Sequence, residues 1–163
     1  RTSSSAASDV YKRQHLAETC KLLDIDFKMG GTYICIEGPQ FSSLAESNFY
    51  RSLGADVIGM TNMPEAKLAR EAEICYSTLA LSTDYDCWHE DHESVTVDQV
   101  IETMNRNISN AKQILKTATD DFDLVKDSYI ENALKGSIIS SLDSIKEDSL
   151  EKLSAIIRKY LLS

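Results

Sequence analysis

Apolar residues repeat at intervals of three and four in the second half of the chain. The positions that follow this spacing are Val97, Val100, Ile101, Met104, Ile108, Ala111, Ile114 and Leu115. Because an α-helix brings such positions to one side, the pattern predicts an amphipathic helix over residues 97–117. Thr96 and Gln99 have the spacing of a capping box and mark its start.

Runs rich in β-branched and aromatic residues predict strands at 33–37, 55–60 and 74–81. The third run is long and apolar enough to predict a buried strand. Helices are predicted after the first two strands. Ser43 and Glu46 form a capping box that opens one helix, and Gly54 is a natural residue to follow it. Pro64 suits the first position of the other helix, which continues to Glu73.

Strands alternate with helices up to residue 117, so the sequence predicts the α/β class. A short helix from His15 to about Asp24 precedes the first strand, and residues 128–162 are predicted to be helical. Residues 1–14 are rich in Ser and Ala and lack periodicity, which predicts a disordered or foreign leader. Residues 15–117 then form the main part of one domain, and 118–163 are its helical C-terminal extension.

The net charge of −9 for 163 residues argues against a nucleic-acid partner, which requires a basic surface. No apolar run approaches the ~20 residues of a transmembrane helix, and no signal peptide is visible. The four cysteines are widely spaced with no C-x-x-C pair. We therefore expect a reduced, cytoplasmic protein without a disulfide framework or a membrane partner.

Two carboxylates, Asp84 and Asp86, directly follow the predicted strand 74–81. Ligands of open α/β sheets bind beyond the carboxyl ends of strands. Alternate residues of an extended chain lie on one face, so the pair could accept hydrogen bonds from adjacent donors such as those of adenine. The alternative interpretation is that both residues begin an ordinary solvated loop.

Three other constellations have chemical interest. Phe41 and the hydroxyls of Ser42 and Ser43 lie at a strand-to-helix turn. Thr61 lies at the start of the next helix. An anion could bind at either helix start. Ordinary helix capping explains both equally well. The run His89-Glu90-Asp91-His92-Glu93 lacks the H-E-x-x-H spacing of a zinc site, so no metal is predicted. No nucleophile with a recognisable base partner is present.

Residues 16–117 resemble the C-terminal half of the S-methyl-5′-thioadenosine phosphorylases, within the purine nucleoside phosphorylase family. The matching motifs are Gly31-Thr32-Tyr33, Glu37-Gly38-Pro39-Gln40-Phe41-Ser42, Ala45-Glu46-Ser47, Gly54-Ala55-Asp56-Val57-Ile58-Gly59-Met60-Thr61, Pro64-Glu65, Leu68-Ala69, Glu71-Ala72, Ile74-Cys75-Tyr76 and Thr83-Asp84-Tyr85-Asp86-Cys87-Trp88. The resemblance implies a mixed sheet flanked by helices. It also implies phosphorolysis of methylthioadenosine to adenine and 5-methylthioribose 1-phosphate, a pentosyltransferase reaction of purine and methionine salvage.

The resemblance also implies residue roles and partners. Asp84, the implied catalytic residue, faces purine N7, and Asp86 faces the 6-amino group. The rest of the implied nucleoside site comprises Phe41, Ile58, Met60, Val97, Val100 and Ile101, the last three around the methylthio group. Thr61 is the implied phosphate contact. Inorganic phosphate is a co-substrate, no cofactor is implied, and the full-length family implies a homotrimer.

The glycine-rich phosphate loop and the Arg-His pair of the family's N-terminal half have no counterpart here, so the resemblance implies a chain truncated at its N-terminus. Two alternatives stay open. A phosphorylase of 6-oxopurine nucleosides is disfavoured, because such enzymes usually have Asn where Asp84 stands. A fragment that binds nucleoside without catalysis is favoured by the unmatched half.

Overall fold

The computed structural model describes residues 10–88, 97–120 and 130–161. The elements are α1 (Val10–Leu22), β1 (Tyr33–Cys35), α2 (Leu44–Ser52), β2 (Val57–Gly59), α3 (Asn62–Glu71), α4 (Val97–Asp120), a 3-10 helix (Leu142–Ser144) and α5 (Glu147–Leu161). Strands and helices alternate in the first part of the chain, which confirms the α/β class. The sheet within the described ranges consists of two parallel strands.

The unit from β1 through α2 to β2 forms from strong local signals. The two strands pair in register from Tyr33 opposite Val57 to Cys35 opposite Gly59. The predicted capping box is present, because Ser43 Oγ accepts from the amide of Glu46 and the Glu46 carboxylate accepts from the amide of Ser43. The hydrogen bonds from Ser43 lower the pKa of Glu46.

Two glycines in this unit are required by geometry. Gly54 follows α2 with a φ of 77°, in the left-handed region that ends many helices. A Cβ at Gly59 would overlap the hydroxyl of Tyr33, so any other residue there would require the Tyr33 side chain to move. Gly54 thus follows the end of α2 as the sequence predicted.

Two predicted helix boundaries are wrong. Helix α3 begins at Asn62, so Pro64 is its third residue rather than its first. This is tolerated because the first-turn amides of a helix have no acceptor within the helix. Helix α1 begins at Val10 and therefore includes residues 10–14, which were assigned to the leader. Lys12 in this turn donates to the carbonyl oxygen of Cys75 (2.6 Å), a long-range contact that local composition does not reveal.

The core of the described chain lies mainly between α1 and α4. Ala17 and Cys20 of α1 are buried, as are Ile114 and Ala118 of α4. His15 Nε2 is 2.8 Å from the carbonyl oxygen of Ala118, which joins the two helices at one end. The long amphipathic helix predicted at 97–117 is thus confirmed, and it extends three residues further, to Asp120. Thr96, the predicted cap, lies outside the described residues.

A polar cluster attaches the C-terminal segment to the end of α3. The Glu73 side chain is 8% exposed and forms an ion pair with Lys159. It also accepts hydrogen bonds from the amide of Leu134 (3.0 Å) and the hydroxyl of Tyr160. Burial opposes ionisation of Glu73, but the bonds from Lys159, Tyr160 and Leu134 outweigh it and lower the pKa of this carboxyl. We call these four residues the Glu73 cluster.

The C-terminal region is less helical than predicted. Helix α5 is present, but residues 130–137 form turns instead of the helix predicted from 128. Gly136 has a φ of 77°, and serines stand at 137, 140 and 141. Glycine in a left-handed conformation ends a helix, and serine side chains compete for backbone hydrogen bonds, so a continuous helix is disfavoured here.

The buried strand predicted at 74–81 is not formed. Residues 74–81 belong to no helix or strand, and Ile74 and Leu81 are 58% and 42% exposed. A strand requires a neighbouring strand to satisfy its backbone, and no described residue provides one. The apolar composition of this run predicted a strand, but no segment among the described residues pairs with it.

Candidate nucleoside-binding site

Two turns and one loop meet beyond the carboxyl ends of β1 and β2. The turn after β1 contains Gly38, and a Cβ there would lie 2.6 Å from Met60 Sδ, which follows β2. The thiol of Cys87 lies 3.5 Å from the carbonyl oxygen of Ser42. The Asp84–Trp88 loop, meaning residues 84–88, therefore reaches the same end of the sheet as the turn that carries Phe41.

The two carboxylates of the Asp84–Trp88 loop differ in environment. Asp84 is exposed and accepts a hydrogen bond from the hydroxyl of Thr83. Asp86 is half-buried and accepts from the amide of Cys87 (2.9 Å). Both carboxylates have further acceptor positions beyond these single bonds, so both can receive hydrogen bonds from a ligand.

An aromatic pair and an arginine stabilise this loop. The rings of Tyr85 and Trp88 meet edge to face, with centroids 6.1 Å apart. Arg51, at the end of α2, places its guanidinium carbon 3.7 Å from the centroid of the Trp88 ring. This distance is characteristic of a cation–π contact. The loop is thus attached to α2 as well as to the turn after β1.

The start of α3 is held by Asn62. Its side-chain oxygen accepts from the hydroxyl of Tyr76 (2.8 Å) and from that of Thr78 (2.7 Å). Thr61, the residue before it, is exposed and makes no capping hydrogen bond with its side chain. Its hydroxyl therefore lies at a helix N-terminus and is open to a ligand, as an anion site requires.

One face of α4 contacts the segment that leads into the loop. Asn107 donates from Nδ2 to the carbonyl oxygen of Ser82 (2.7 Å), two residues before Asp84. Val100 is seven residues from Asn107 and so lies on the same face of α4. Val100 is half-buried and Ile101 is 50% exposed. The side chain of Val97 lies outside what the structure describes.

The remaining predicted site residues lie on or next to the strands and turns at this end of the sheet, and they differ in exposure. Ile58 and Met60 are half-buried, whereas Phe41 is 87% exposed. A cavity of about 380 Å³ lies elsewhere, among Leu134, Ile138 and Tyr160, and none of the predicted nucleoside contacts lines it. The side chains that the structure brings together therefore form an open surface.

Two further expectations concern metals and membranes. Among residues 10–88, 97–120 and 130–161, no group of three or more His, Cys, Asp or Glu side chains is arranged to hold a metal ion. No helix in these ranges is long and apolar enough to cross a membrane. The run from His89 to Glu93, which was weighed as a metal site, lies outside the described residues.

Comparison with known protein families identifies the chain. Residues 4–120 match the model of the phosphorylase superfamily. The chain belongs to this superfamily. The match begins within the first 14 residues and ends where α4 ends. It includes every segment that forms the open surface described above.

Curated relatives of this superfamily member share one activity in their names. The S-methyl-5′-thioadenosine phosphorylase of Geobacter sulfurreducens is 52% identical over 132 residues, which are 81% of this chain and 46% of that enzyme. The enzyme of the same name from Koribacter versatilis is 53% identical over 133 residues, or 82% and 46%. The chain thus spans about half the length of the curated relatives it matches.

Solved structures agree with this assignment. A methylthioadenosine phosphorylase from an Antarctic soil metagenomic library matches with a TM-score of 0.83 and 40% identity, over 92% of this chain and 54% of that one. The methylthioadenosine phosphorylase of Schistosoma mansoni, solved with adenine, matches with a TM-score of 0.68 and 28% identity, over 85% of this chain and 55% of that one. The predicted phosphorylase-like fold is confirmed.

Sequence reasoning missed two residues that organise the site, Arg51 and Asn62. Arg51 lies in the last turn of α2, 37 positions before Trp88, and no local pattern links the two residues. Asn62 was passed over between Thr61 and Pro64, although Asn is common near helix starts. The one sequence clue to Asn62 was the pair Tyr76 and Thr78. These two hydroxyl residues are two positions apart, and alternate residues of an extended segment reach the same side.

Proposed function

We propose that this chain is the nucleoside-binding part of a phosphorylase that converts S-methyl-5′-thioadenosine and phosphate into adenine and 5-methylthioribose 1-phosphate. The observation that carries the proposal is the contact between Cys87 and Ser42, which joins the Asp84–Trp88 loop to the turn that holds Phe41. The names of the curated relatives support the same substrate. Inorganic phosphate is the second substrate, and the reaction requires no cofactor.

The proposed chemistry assigns one role to each carboxyl group. Phosphate oxygen forms a bond to C1′ of the ribose as the bond from C1′ to adenine N9 breaks, and the electron pair leaves with the base. Asp84 takes part as the protonated acid and delivers this proton to N7, which neutralises the charge that develops on adenine. Asp86 accepts a hydrogen bond from the 6-amino group, which selects adenine over 6-oxopurines.

Phosphate contacts Thr61, and the methylthio group of the nucleoside contacts α4. The hydroxyl of Thr61 and the free amides at the start of α3 donate to phosphate oxygens. Glu65 in the same first turn is acidic and opposes a second negative charge there. The methylthio group lies against Val100 and Ile101, since a thioether gains most from apolar contacts.

Thr61 and one helix terminus cannot position a phosphate dianion by themselves. Positioning and charge stabilisation supply most of the rate in such reactions. We therefore expect negligible phosphorolysis by the isolated chain, and binding is the better test. The proposal places the protein in a reducing, cytoplasmic compartment, which suits its four free cysteines, and includes a homotrimer for the complete enzyme.

Calorimetric titration with adenosine and with inosine tests the assignment of Asp84. We expect the parent chain to prefer adenosine. Asp84→Asn should shift the ratio of the two affinities toward inosine by about tenfold or more, because the two N–H donors of the amide can reach N7 and the neighbouring 6-oxo group together, whereas a carboxyl group has at most one donor. Asp26→Asn, a change at an exposed acid between α1 and β1, is the matched control and should leave the ratio unchanged.

Three outcomes contradict this proposal. The first is an adenosine-to-inosine ratio that Asp84→Asn leaves unchanged. The second is an equal shift in the Asp26→Asn control. The third is a folded parent chain that binds none of adenosine, inosine and methylthioadenosine at millimolar concentration.

A further inference from the structure

The Asp84–Trp88 loop is attached to other elements at its beginning and at its end. Just before it, Asn107 of α4 donates from Nδ2 to the carbonyl oxygen of Ser82 (2.7 Å). At its end, Cys87 contacts the turn after β1 and Trp88 contacts the end of α2. Asn107 therefore fixes the beginning of the loop, where the first of the two carboxylates lies.

The hydrogen bond of Asn107 positions backbone rather than a side chain. A carbonyl oxygen can only accept, so the amide nitrogen of Asn107 must donate, and this determines the orientation of the side-chain amide. Ser82 belongs to neither a helix nor a strand. The position of such backbone depends on individual contacts with other elements. Asn107, which is half-buried, supplies one of them across 25 positions of sequence.

Asn107 shares its helix with the residues proposed to bind the methylthio group. Val100 lies on the same face, seven residues earlier, which corresponds to about 10 Å along the helix axis. At its other end, α4 is held against α1 through Ile114 and Ala118, which are buried. A helix makes its backbone hydrogen bonds internally and is stiff over two turns. The contact at Asn107 therefore also sets how far Val100 lies from the loop.

We propose that Asn107 is a positioning residue for substrate specificity. Its bond to Ser82 sets the distance between the carboxylates that receive the base and the face of α4 that receives the methylthio group. The inference rests on the proposed function, because it takes Asp84, Asp86 and Val100 as ligand contacts. Methylthioadenosine must reach both regions at once, whereas adenine reaches the loop alone. A site that is already spaced for the longer ligand loses less conformational freedom when that ligand binds.

A purely structural role for Asn107 predicts a different result. If Asn107 only stabilised the fold, its loss would lower the fraction of folded molecules. The apparent affinity for every ligand would then fall by the same factor. The ratio between the affinities for methylthioadenosine and adenine would be unchanged. This ratio therefore separates a positioning role from a structural one.

The test is calorimetric titration of the parent chain and of Asn107→Ala with methylthioadenosine and with adenine. We expect the variant to lower the ratio of the two affinities by about three- to tenfold, which is the effect of one hydrogen bond. Asn105→Ala is the matched control, because Asn105 is exposed and lies two positions away, on the other side of α4. The control should leave the ratio unchanged. Circular dichroism of each variant verifies that it folds.

Two further variants make the test specific for the donor. Asn107→Asp keeps the shape of the side chain, but its carboxylate cannot donate and would face a carbonyl oxygen. It should lower the ratio at least as much as the alanine variant. Asn107→Gln keeps an amide donor on a longer side chain and should retain more of the ratio than the alanine variant.

The loop also has a signal that requires no ligand. Trp88 is the sole tryptophan of the chain, so fluorescence excited at tryptophan wavelengths reports the loop. Its ring contacts Tyr85 edge to face, which connects it to the middle of the loop. We expect acrylamide to quench this fluorescence more strongly in Asn107→Ala than in the parent chain or in Asn105→Ala. If the parent chain binds neither ligand, the proposed function fails, and quenching alone decides whether Asn107 positions the loop.

Three results would overturn the proposal. One is a loss in Asn107→Ala that is equal for methylthioadenosine and adenine. Another is a change of the ratio in Asn105→Ala as large as that in Asn107→Ala, or an Asn107→Asp variant with the ratio of the parent chain. The last is quenching of Trp88 that Asn107→Ala leaves unchanged.

Discussion

Replacement of Glu73 gives the sharpest prediction about what holds this chain together. The carboxylate is 8% exposed and receives donors from Leu134, Lys159 and Tyr160. In Glu73→Ala the half-buried amide of Leu134 loses its acceptor. An unpaired buried group costs about 1–3 kcal/mol, and each lost hydrogen bond about 0.5–1.5 kcal/mol. We therefore expect Glu73→Ala to lower the free energy of unfolding by about 2–6 kcal/mol.

The backbone at Glu73 allows a second, independent comparison. Its φ of 55° lies in the left-handed region, which costs a non-glycine residue about 1 kcal/mol or more. Glu73→Gly loses the same hydrogen bonds as Glu73→Ala but relieves that strain. The glycine variant should therefore be less destabilised than the alanine variant by about 1 kcal/mol. Glu73→Gln keeps an acceptor oxygen and should be the least affected of the three.

Urea unfolding followed by circular dichroism at pH 7 measures these differences. Glu71→Ala, an exposed glutamate two positions earlier, is the matched control and should change the free energy of unfolding by less than about 0.5 kcal/mol. Equal losses at positions 71 and 73, or a glycine variant less stable than the alanine variant, would refute the reasoning.

The same cluster predicts a pH dependence. The pKa of Glu73 in the folded chain lies below its value in the unfolded chain, about 4.3. The stabilisation is thus fully present above that pH and is lost as the pH falls through the folded-state pKa. The advantage of the parent chain over Glu73→Gln should be constant from pH 7 to pH 5 and should shrink below about pH 4.

Three further substitutions test other contacts. Ser43→Ala removes the capping box of α2 and should lower the free energy of unfolding in urea by about 0.5–2 kcal/mol; an unchanged value would contradict a stabilising cap. Asn62→Ala removes the acceptor of Tyr76 and Thr78 and should lower the free energy of unfolding by about 1–3 kcal/mol. A decrease no larger than that caused by Thr78→Ala alone would contradict the shared contact. Val100→Asp should weaken methylthioadenosine binding by about 1–3 kcal/mol in calorimetry and adenine binding much less, whereas equal losses would place this face of α4 elsewhere.

The sequence predicted the elements whose signals are local. The capping box at Ser43 and Glu46, the glycine after α2 and the three-and-four spacing of α4 each depend on neighbouring residues. Each was found as predicted within one turn. The start of α3 was misplaced because proline is tolerated at several positions of a first turn, so its presence does not identify one.

Composition was enough to propose the candidate site, but it did not reveal the contacts that hold the site together. The positions of Asp84 and Asp86 after an apolar run indicated a ligand site, and the structure brings their loop to the turn after β1. The contacts that hold the loop join residues 37 and 45 positions apart, Arg51 with Trp88 and Ser42 with Cys87. Such contacts join residues that are far apart in the sequence and leave no periodic trace in it.

The failure of the strand prediction at 74–81 connects the fold to the function. A helix satisfies its backbone within itself, whereas a strand depends on another segment. The same run leads directly into Asp84, and its contacts with Asn62 and Asn107 fix both its start and its end. These contacts therefore also restrict the loop that carries both carboxylates. Since preorganised groups bind more tightly, loss of the Asn107 contact should lower the affinity for adenosine.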